Sequence, residues 1–455
     1  MRDKSTSQTR ARSGRQRRLL GALTAVGVTM SVMTTGGGVS FAAVHSQAGQ
    51  SSTITVWVDS GRLPMAKAWA KANPSYKLDI VTFDGGANGD GSLEEKVALA
   101  NRVGHGWPDI VFSEEQNDVQ KLGYPPFNFP AVLNGLVPSS VLNNYAAGAL
   151  SPCMVGKKLE CLRNDLAFDV LWVNVPLMKQ FGYTVPTTWQ QWQTIGENVA
   201  ANHPGYIIGT LGDSYSDAVY LQAAQCHLND VVAAYSLISN PNDPNCVNMA
   251  DLLNPLEKDG SVPASANEFG STFAKTYDGK VLMDVGPAWY STAIFEGKGS
   301  VLNAPAGTYG AYAPLTWAGN KQAWTGDVGG GLWILSSHLK GAPLQAAANV
   351  LVGLATSTVS QNLSQGYPGY VPAAKSWIAE QDASGLFASP LSSTFAIAAP
   401  EVWPGWSQTP WDVFGLWAQN VTPNLIAGSS VSSQLSVMAS AILNNAQSDG
   451  FQVTS

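Results

Sequence analysis

Charge and histidine are what this sequence has least of. Only 13% of its 455 residues are Asp, Glu, Lys or Arg, and only five are His. His45, His105, His203, His227 and His338 stand well apart, so neither an H-E-x-x-H helix nor a paired-histidine metal site is encoded. There are four cysteines and no C-x-x-C spacing, which argues against a zinc or redox motif. A G-x-S-x-G elbow, a P-loop and a complete G-x-G-x-x-G are all missing, which removes the common serine-hydrolase, nucleotide and dinucleotide signatures. No fixed-period repeat is present, so solenoids and propellers are excluded. The apolar run Leu19–Met33 is short and interrupted by Thr, Ser and Gly, too weak for a secure membrane span.

What is there begins with a targeting segment. Arg2, Lys4, Arg10, Arg12, Arg15, Arg17 and Arg18 precede that apolar run, and small residues follow it through Ala42 and Ala43. Basic, apolar, then small is the order of an export signal, here residues 1–42, cleaved from the mature chain. Arg17-Arg18 leaves open whether export is by the general or the twin-arginine route. No Cys precedes Cys153, so a lipid-anchored mature start is not expected. Without the signal the chain carries 18 basic and 31 acidic side chains, a net charge of −13. Such a protein is a poor partner for nucleic acid or an anionic membrane surface. In an oxidising compartment an even cysteine count reads as disulfides, and proximity pairs Cys153 with Cys161 and Cys226 with Cys246. The first pair closes a hairpin around Gly156-Lys157.

Beta and alpha signals alternate. Residues 53–58 (TITVWV), 78–83 (LDIVTF) and 109–112 (DIVF) are β-rich. Helical apolar spacing fills the stretches between them, the first ending at Pro74. A second set starts at AFDVLWVNV, continues with a helix capped by Thr188 and Gln191, and adds strands at 206–212 (YIIGTLG) and 280–285 (KVLMDV). Alternation of this kind predicts parallel α/β layers, whose ligands sit beyond the carboxyl ends of the strands. That rule selects Asp59, Asp84 and Ser113-Glu114-Glu115.

Several segments, in order, resemble the sugar-binding family of extracellular solute-binding proteins of ABC importers, the family that includes maltose-binding protein. They are GHGWPDIVFSEE, YDGKVLMDVGPAWYSTAIF, the run from AYAPLTWAGN through GGGLWILSS to its following helix, and PEVWPGWSQ. The likeness covers nearly all of the mature chain. It implies an α/β fold of two lobes with a ligand cleft between them, residues 51–165 and 317–365 forming the first lobe and 166–316 and 366–455 the second. It also implies a monomer that binds a sugar or oligosaccharide without a cofactor or metal and delivers it to ABC permease membrane subunits.

Within that frame, Trp289 and Tyr290 are expected to offer an apolar face to a sugar ring. They follow a strand end and the Gly286-Pro287 turn. The family's Trp stands nearer the Gly, where this chain has Ala288, so the sequence leaves open which ring stacks; the competing reading makes both core. Trp403 and Trp406, in a Pro- and Gly-broken stretch, are placed on the cleft rim, whereas Trp377 has helical spacing and reads as packing or surface. Carboxylates accept pairs of hydroxyl hydrogen bonds. Asp59, Asp84, Glu114, Asp165, Asp169 and Asp327 are the candidates, against the commoner role of such residues as caps and solvated turns. Gly330, in the Gly329-Gly330-Gly331 run after Asp327, can let backbone approach a ligand. The stretch from Asp84 to Glu95 partly resembles a calcium loop, but a strand precedes it, so it reads as a strand–turn–helix corner. Two alternatives remain at this point: a secreted glycoside hydrolase, which needs two carboxylates across one bond, and a carbohydrate-sensing ectodomain of the same fold.

Overall fold

A computed structural model describes residues 53–84, 91–233, 235–405 and 409–454. The export-signal segment and Trp406 lie outside the described residues, as do residues 85–90 of the stretch resembling a calcium loop.

The first five elements follow the sequence closely. Strand β1 (Ile54–Val58), helix α1 (Leu63–Ala72), strand β2 (Leu78–Thr82), helix α2 (Ser92–Val103) and strand β3 (Ile110–Ser113) alternate as strand–helix–strand crossover units. Helix α1 carries Pro64 in its first turn, where no amide is needed, and buries Met65, Ala66 and Trp69. Helix α2 stops at Gly104, whose φ of 77° suits a residue without Cβ. β1 pairs in parallel with β2 and β3. Two later strands complete this five-stranded sheet. Leu332–Leu335 runs antiparallel beside β3, and Cys161–Arg163 runs antiparallel beside Leu332–Leu335.

A second sheet has Asp169–Asn174 at its centre, flanked by Met283–Pro287 and Tyr309–Tyr312. Both flanking pairings are antiparallel, so the expectation of parallel layers holds for the first sheet's β1–β3 and fails for the second. The run at 206–212 is not a strand either: Ile207 makes a single bridge to Val281, and the chain then turns at Asp213. Asp169–Asn174 is buried on both faces. Phe168, Val170 and Trp172 join the core that also holds the first sheet, whereas Leu171 and Val173 join a second core beneath helices Trp189–Asn202, Pro244–Asp259 and Val431–Ser448. A strand's period of two divides its side chains in this way.

Local chemistry fixes the ends. Thr188 Oγ1 accepts from Gln191 N at 3.2 Å, and Gln191 Oε1 accepts from Thr187 N at 2.8 Å, one residue earlier than a standard capping box. Cys153–Cys161 and Cys226–Cys246 are bonded. The first closes the hairpin Met154–Val155 with Lys158–Leu159 around Gly156, which takes φ 61°. Among the described residues no helix is long and apolar enough to cross a membrane.

Candidate functional site

The carboxyl ends of β1, β2 and β3 are tied to one another. Asp84 Oδ1 accepts from Ser60 N, and Asp59 Oδ1 from Arg62 N, both at 2.6 Å. Arg62 leans over the Phe112 ring, 5.0 Å from its centre, and pairs with Glu114 just beyond β3. Asp59 lies 3.7 Å from the same guanidinium. Burial pushes its carboxyl up, and Arg62 opposes that. Asp59 and Asp84 are therefore used in holding the strand ends, while Arg62, Glu114 and Glu115 reach the cleft beyond them.

The floor of that cleft is the chain passing between the sheets. Arg163, fully buried, donates from Nη2 to Asp327 Oδ2 at 2.7 Å and to the Gly329 carbonyl at 2.8 Å, and from Nε to the Asp165 carbonyl at 2.6 Å. Asp327 Oδ1 accepts from Ala167 N at 2.7 Å. Asp165 Oδ1 accepts from Asn164 Nδ2 and from Gly331 N. The glycines answer to this packing. A Cβ on Gly330, at φ 80°, would lie 2.3 Å from Arg163 Nη2, and one on Gly331 would lie 2.0 Å from the Phe112 ring. Asp327 therefore sits behind the cleft wall and anchors it, whereas Asp165 and Gly330 line the cleft.

The opposite wall is aromatic. Trp289 is half-buried, and its indole N–H donates to the Val328 carbonyl at 2.8 Å. Tyr215 stands edge-on to Trp289 at 5.8 Å and to Phe414 at 5.2 Å, and Phe269 leans on Trp289 at 5.9 Å. Phe269 is 51% exposed, a large apolar ring left at the cleft mouth. Tyr290 does not share the cleft with Trp289. It is 2% exposed, and its ring occupies the space over Gly286, where a Cβ would come within 2.5 Å. Successive side chains leave the backbone in different directions, so only one of this pair faces outward.

Behind the aromatic wall lies a chain of buried carboxyls. Glu268 is within hydrogen-bonding reach of both Asp213 and Asp284, and Thr210 Oγ1 donates to Glu268 Oε1 at 2.6 Å. Burial pushes all three carboxyls up: Glu268 well above the usual carboxylate range, Asp284 to about 8. Asp213 is the member that lines the cleft.

The cleft encloses about 740 Å³, in the range of small-molecule sites. Of the sequence candidates it brings together Glu114, Asp165, Trp289 and Gly330. Asp169 is buried at the start of its strand, its carboxyl beside the Gly326 backbone rather than in the cleft. Trp403 is buried away from the cleft. Its ring meets His227 edge-on at 5.0 Å, and its backbone N–H donates to the Thr325 carbonyl at 2.9 Å. Trp377 is not merely packing: it lines the cleft, with its indole N–H on the Ser364 carbonyl at 3.0 Å. Sequence reasoning missed Arg62, Asp213, Tyr215, Phe269 and Phe414. The strand-end rule applied to 206–212 would have pointed at Asp213 and Tyr215.

Solved structures of similar shape have been determined. An ABC-transporter-associated binding protein from B. animalis subsp. lactis, in complex with beta-1,6-galactobiose, superposes with a TM-score of 0.68 at 14% identity, over 89% of this chain and 99% of that one. The galacto-N-biose-/lacto-N-biose I-binding protein of the ABC transporter from Bifidobacterium longum, in complex with lacto-N-biose, gives 0.68 at 17% identity, over 90% and 100%. The sugar-binding protein of Xanthomonas citri gives 0.66 at 13%, over 88% and 98%. The fold is that of the two-lobe solute-binding proteins. No family model matches the sequence, and no curated protein matches it by sequence. The similar structures named here are binding proteins, not enzymes.

Proposed function

We propose that this protein is the exported solute-binding subunit of an ABC importer. It takes a sugar or oligosaccharide into the cleft and delivers it to permease subunits in the membrane, without chemical turnover. The observation that carries this is the cleft itself. A half-buried indole, Trp289, has its N–H already bonded to Val328, so the ring's remaining recognition surface is its face. Carboxylates, a guanidinium and amides stand around it, at Glu114, Asp165, Arg62 and Gln365. A sugar ring offers a C–H face to such an indole and hydroxyls to such an edge.

In this reading residues 51–165 with 317–365 form one lobe and 166–316 with 366–455 the other. The chain passing at 164–168 and 325–331 is the hinge between them, and closure buries the solute. Ligand contacts are assigned to Glu114, Asp165, Trp289 and the Gly330 backbone, with Arg62, Asp213 and Tyr215 added. The protein works as a monomer outside the cell membrane and has no nucleic-acid partner.

The test is calorimetric titration of the mature protein with a panel of mono- and oligosaccharides, followed by chromatography of the bound sugar. Saturable binding with the sugar recovered intact is expected. Steady release of shorter products would replace the reading by a glycoside hydrolase, and no binding across the panel would end it.

A further inference from the structure

Opposite walls of the cleft are joined again outside it. Helix α3 (Asp118–Gly123) begins three residues past Glu115, which lines the cleft. Its Lys121 pairs with Asp449, at the end of helix Val431–Ser448. The same Asp449 Oδ2 accepts from the Trp411 indole N–H at 2.8 Å. Trp411 lies three residues before Phe414, a ring of the aromatic wall. The ion pair therefore links two segments, each continuous with one wall.

Rings from both sides stand beside the pair. Tyr124, just past α3, meets Tyr235 edge-on at 5.2 Å and Phe451 at 6.1 Å. Phe451 is buried, and it meets Trp411 edge-on at 4.9 Å. Tyr235 and Phe451 belong to a small three-stranded sheet of Asn229–Ala233, Ser236–Ser239 and Gln452–Thr454. Tyr235 sits between the first two strands, and its carbonyl accepts from Gln452 N at 2.8 Å. Its φ is 58°, in the left-handed region, which a bulky side chain keeps only where its surroundings hold it. Two of those surroundings are the rings of Tyr124 and Phe451. An ion pair whose side chains stay 27% and 35% exposed contributes little alone. Joined to this ring cluster it forms one contact between the arm-like sheet and α3.

We propose that this contact is a latch: the small sheet and Asp449 grip α3 and hold the cleft closed, without touching the solute. The inference rests on the lobes and hinge proposed above. Opening about 164–168 and 325–331 carries Glu115 and α3 away from Phe414, Trp411 and Asp449, so the latch must part. Closure forms it again, and its free energy adds to that of the solute contacts by favouring the closed state.

Two variants of the mature protein test it. Lys121→Glu sets like charge against Asp449 at an exposed site. Tyr235→Gly removes the ring and relieves the backbone, so the turn itself is not weakened. Small-angle X-ray scattering gives the radius of gyration, and calorimetric titration with maltose, lactose and cellobiose gives the affinity. Each variant is expected to be more open than the unmodified protein, with a larger radius, and to bind any of the three sugars that the protein takes about three- to tenfold more weakly. Unchanged radius and unchanged affinity in both variants would make the contact ordinary packing and overturn the latch. A smaller radius or tighter binding would make it a strut that holds the cleft open, and would overturn it too. A larger radius with none of the three sugars bound would uphold the latch and count against the saccharide reading alone. If a sugar binds the unmodified protein and saturation leaves its radius unchanged, the hinge reading falls and the latch with it.

Discussion

The indole N–H of Trp289 donates to the carbonyl of Val328 at 2.8 Å, joining the aromatic wall to the segment that passes between the sheets. This bond fixes the ring plane and removes the indole's one polar group from competition, so the face is what a ligand meets. Trp289→Ala should weaken saccharide binding by roughly 1–3 kcal/mol, the range for central contact aromatics, or about one to two decades in Kd. Tyr290→Ala should behave differently. Its ring is core, so the expected loss is about 3–5 kcal/mol of folding stability. Titration and chemical denaturation of both variants would check this. The reverse pattern would place Tyr290 in the site and Trp289 in the core.

Arg163 and Asp327 form an ion pair buried on both sides, and the same guanidinium holds the carbonyls of Asp165 and Gly329. Removing one partner strands a buried charge. Asp327→Ala or Arg163→Ala should each cost about 3–5 kcal/mol, and the paired apolar replacement Arg163→Met with Asp327→Leu should cost less than either. Urea melts of the three variants decide it. A pair that can be broken without loss would mean that the segment at 325–331 is held by its glycine packing alone.

The sequence made the first sheet legible because its helices carry their own stops, Pro74 and Gly104, and its strands lie between them. The second sheet was harder. Asp169–Asn174 is apolar on both faces, so periodicity could not assign its partners or their direction. The candidate site was half legible for a similar reason. Strand ends locate a wall but not the direction in which each side chain leaves it, which is why Glu114 lines the cleft while Asp59 and Asp84 tie loops. Asp327 reads as a ligand-facing carboxylate until Arg163, 164 residues earlier, is seen beneath it. Tyr215, Phe269 and Phe414 are isolated aromatics with no local pattern; only the fold gathers them.

The two disulfides close short loops, with sequence separations of 8 and 20. In the chain-entropy treatment, such loops stabilise by about 2.5 and about 3 kcal/mol respectively. Cys153→Ala with Cys161→Ala, and Cys226→Ala with Cys246→Ala, should lower stability by amounts of that order. Ligand affinity should stay nearly unchanged, since none of the four lines the cleft. Denaturation midpoints and titrations of the two double variants test both halves of the statement. Free thiols in the unreduced protein would remove its basis.

Several buried carboxyls should favour the folded state at acidic pH. Burial pushes Asp284 up to about 8 and Asp217 up to about 7, from an ordinary value of 3.8. Glu160 and Glu296, also buried, move the same way, from 4.5 to about 7. Between the unfolded and folded values the native state binds more protons than the unfolded chain. Stability therefore falls as pH rises from about 4 towards about 8, and changes little from these groups above that. Each fully buried carboxyl contributes a slope of at most about 1.4 kcal/mol per pH unit within its window. Thermal unfolding at pH 5, 6, 7 and 8 should show Tm decreasing step by step, and Asp284→Asn should flatten the curve between pH 6 and 8, because an amide fills the site without ionising. A Tm that rises over that interval would mean that these carboxyls are ionised in the folded protein and paired with partners that the structure does not place beside them.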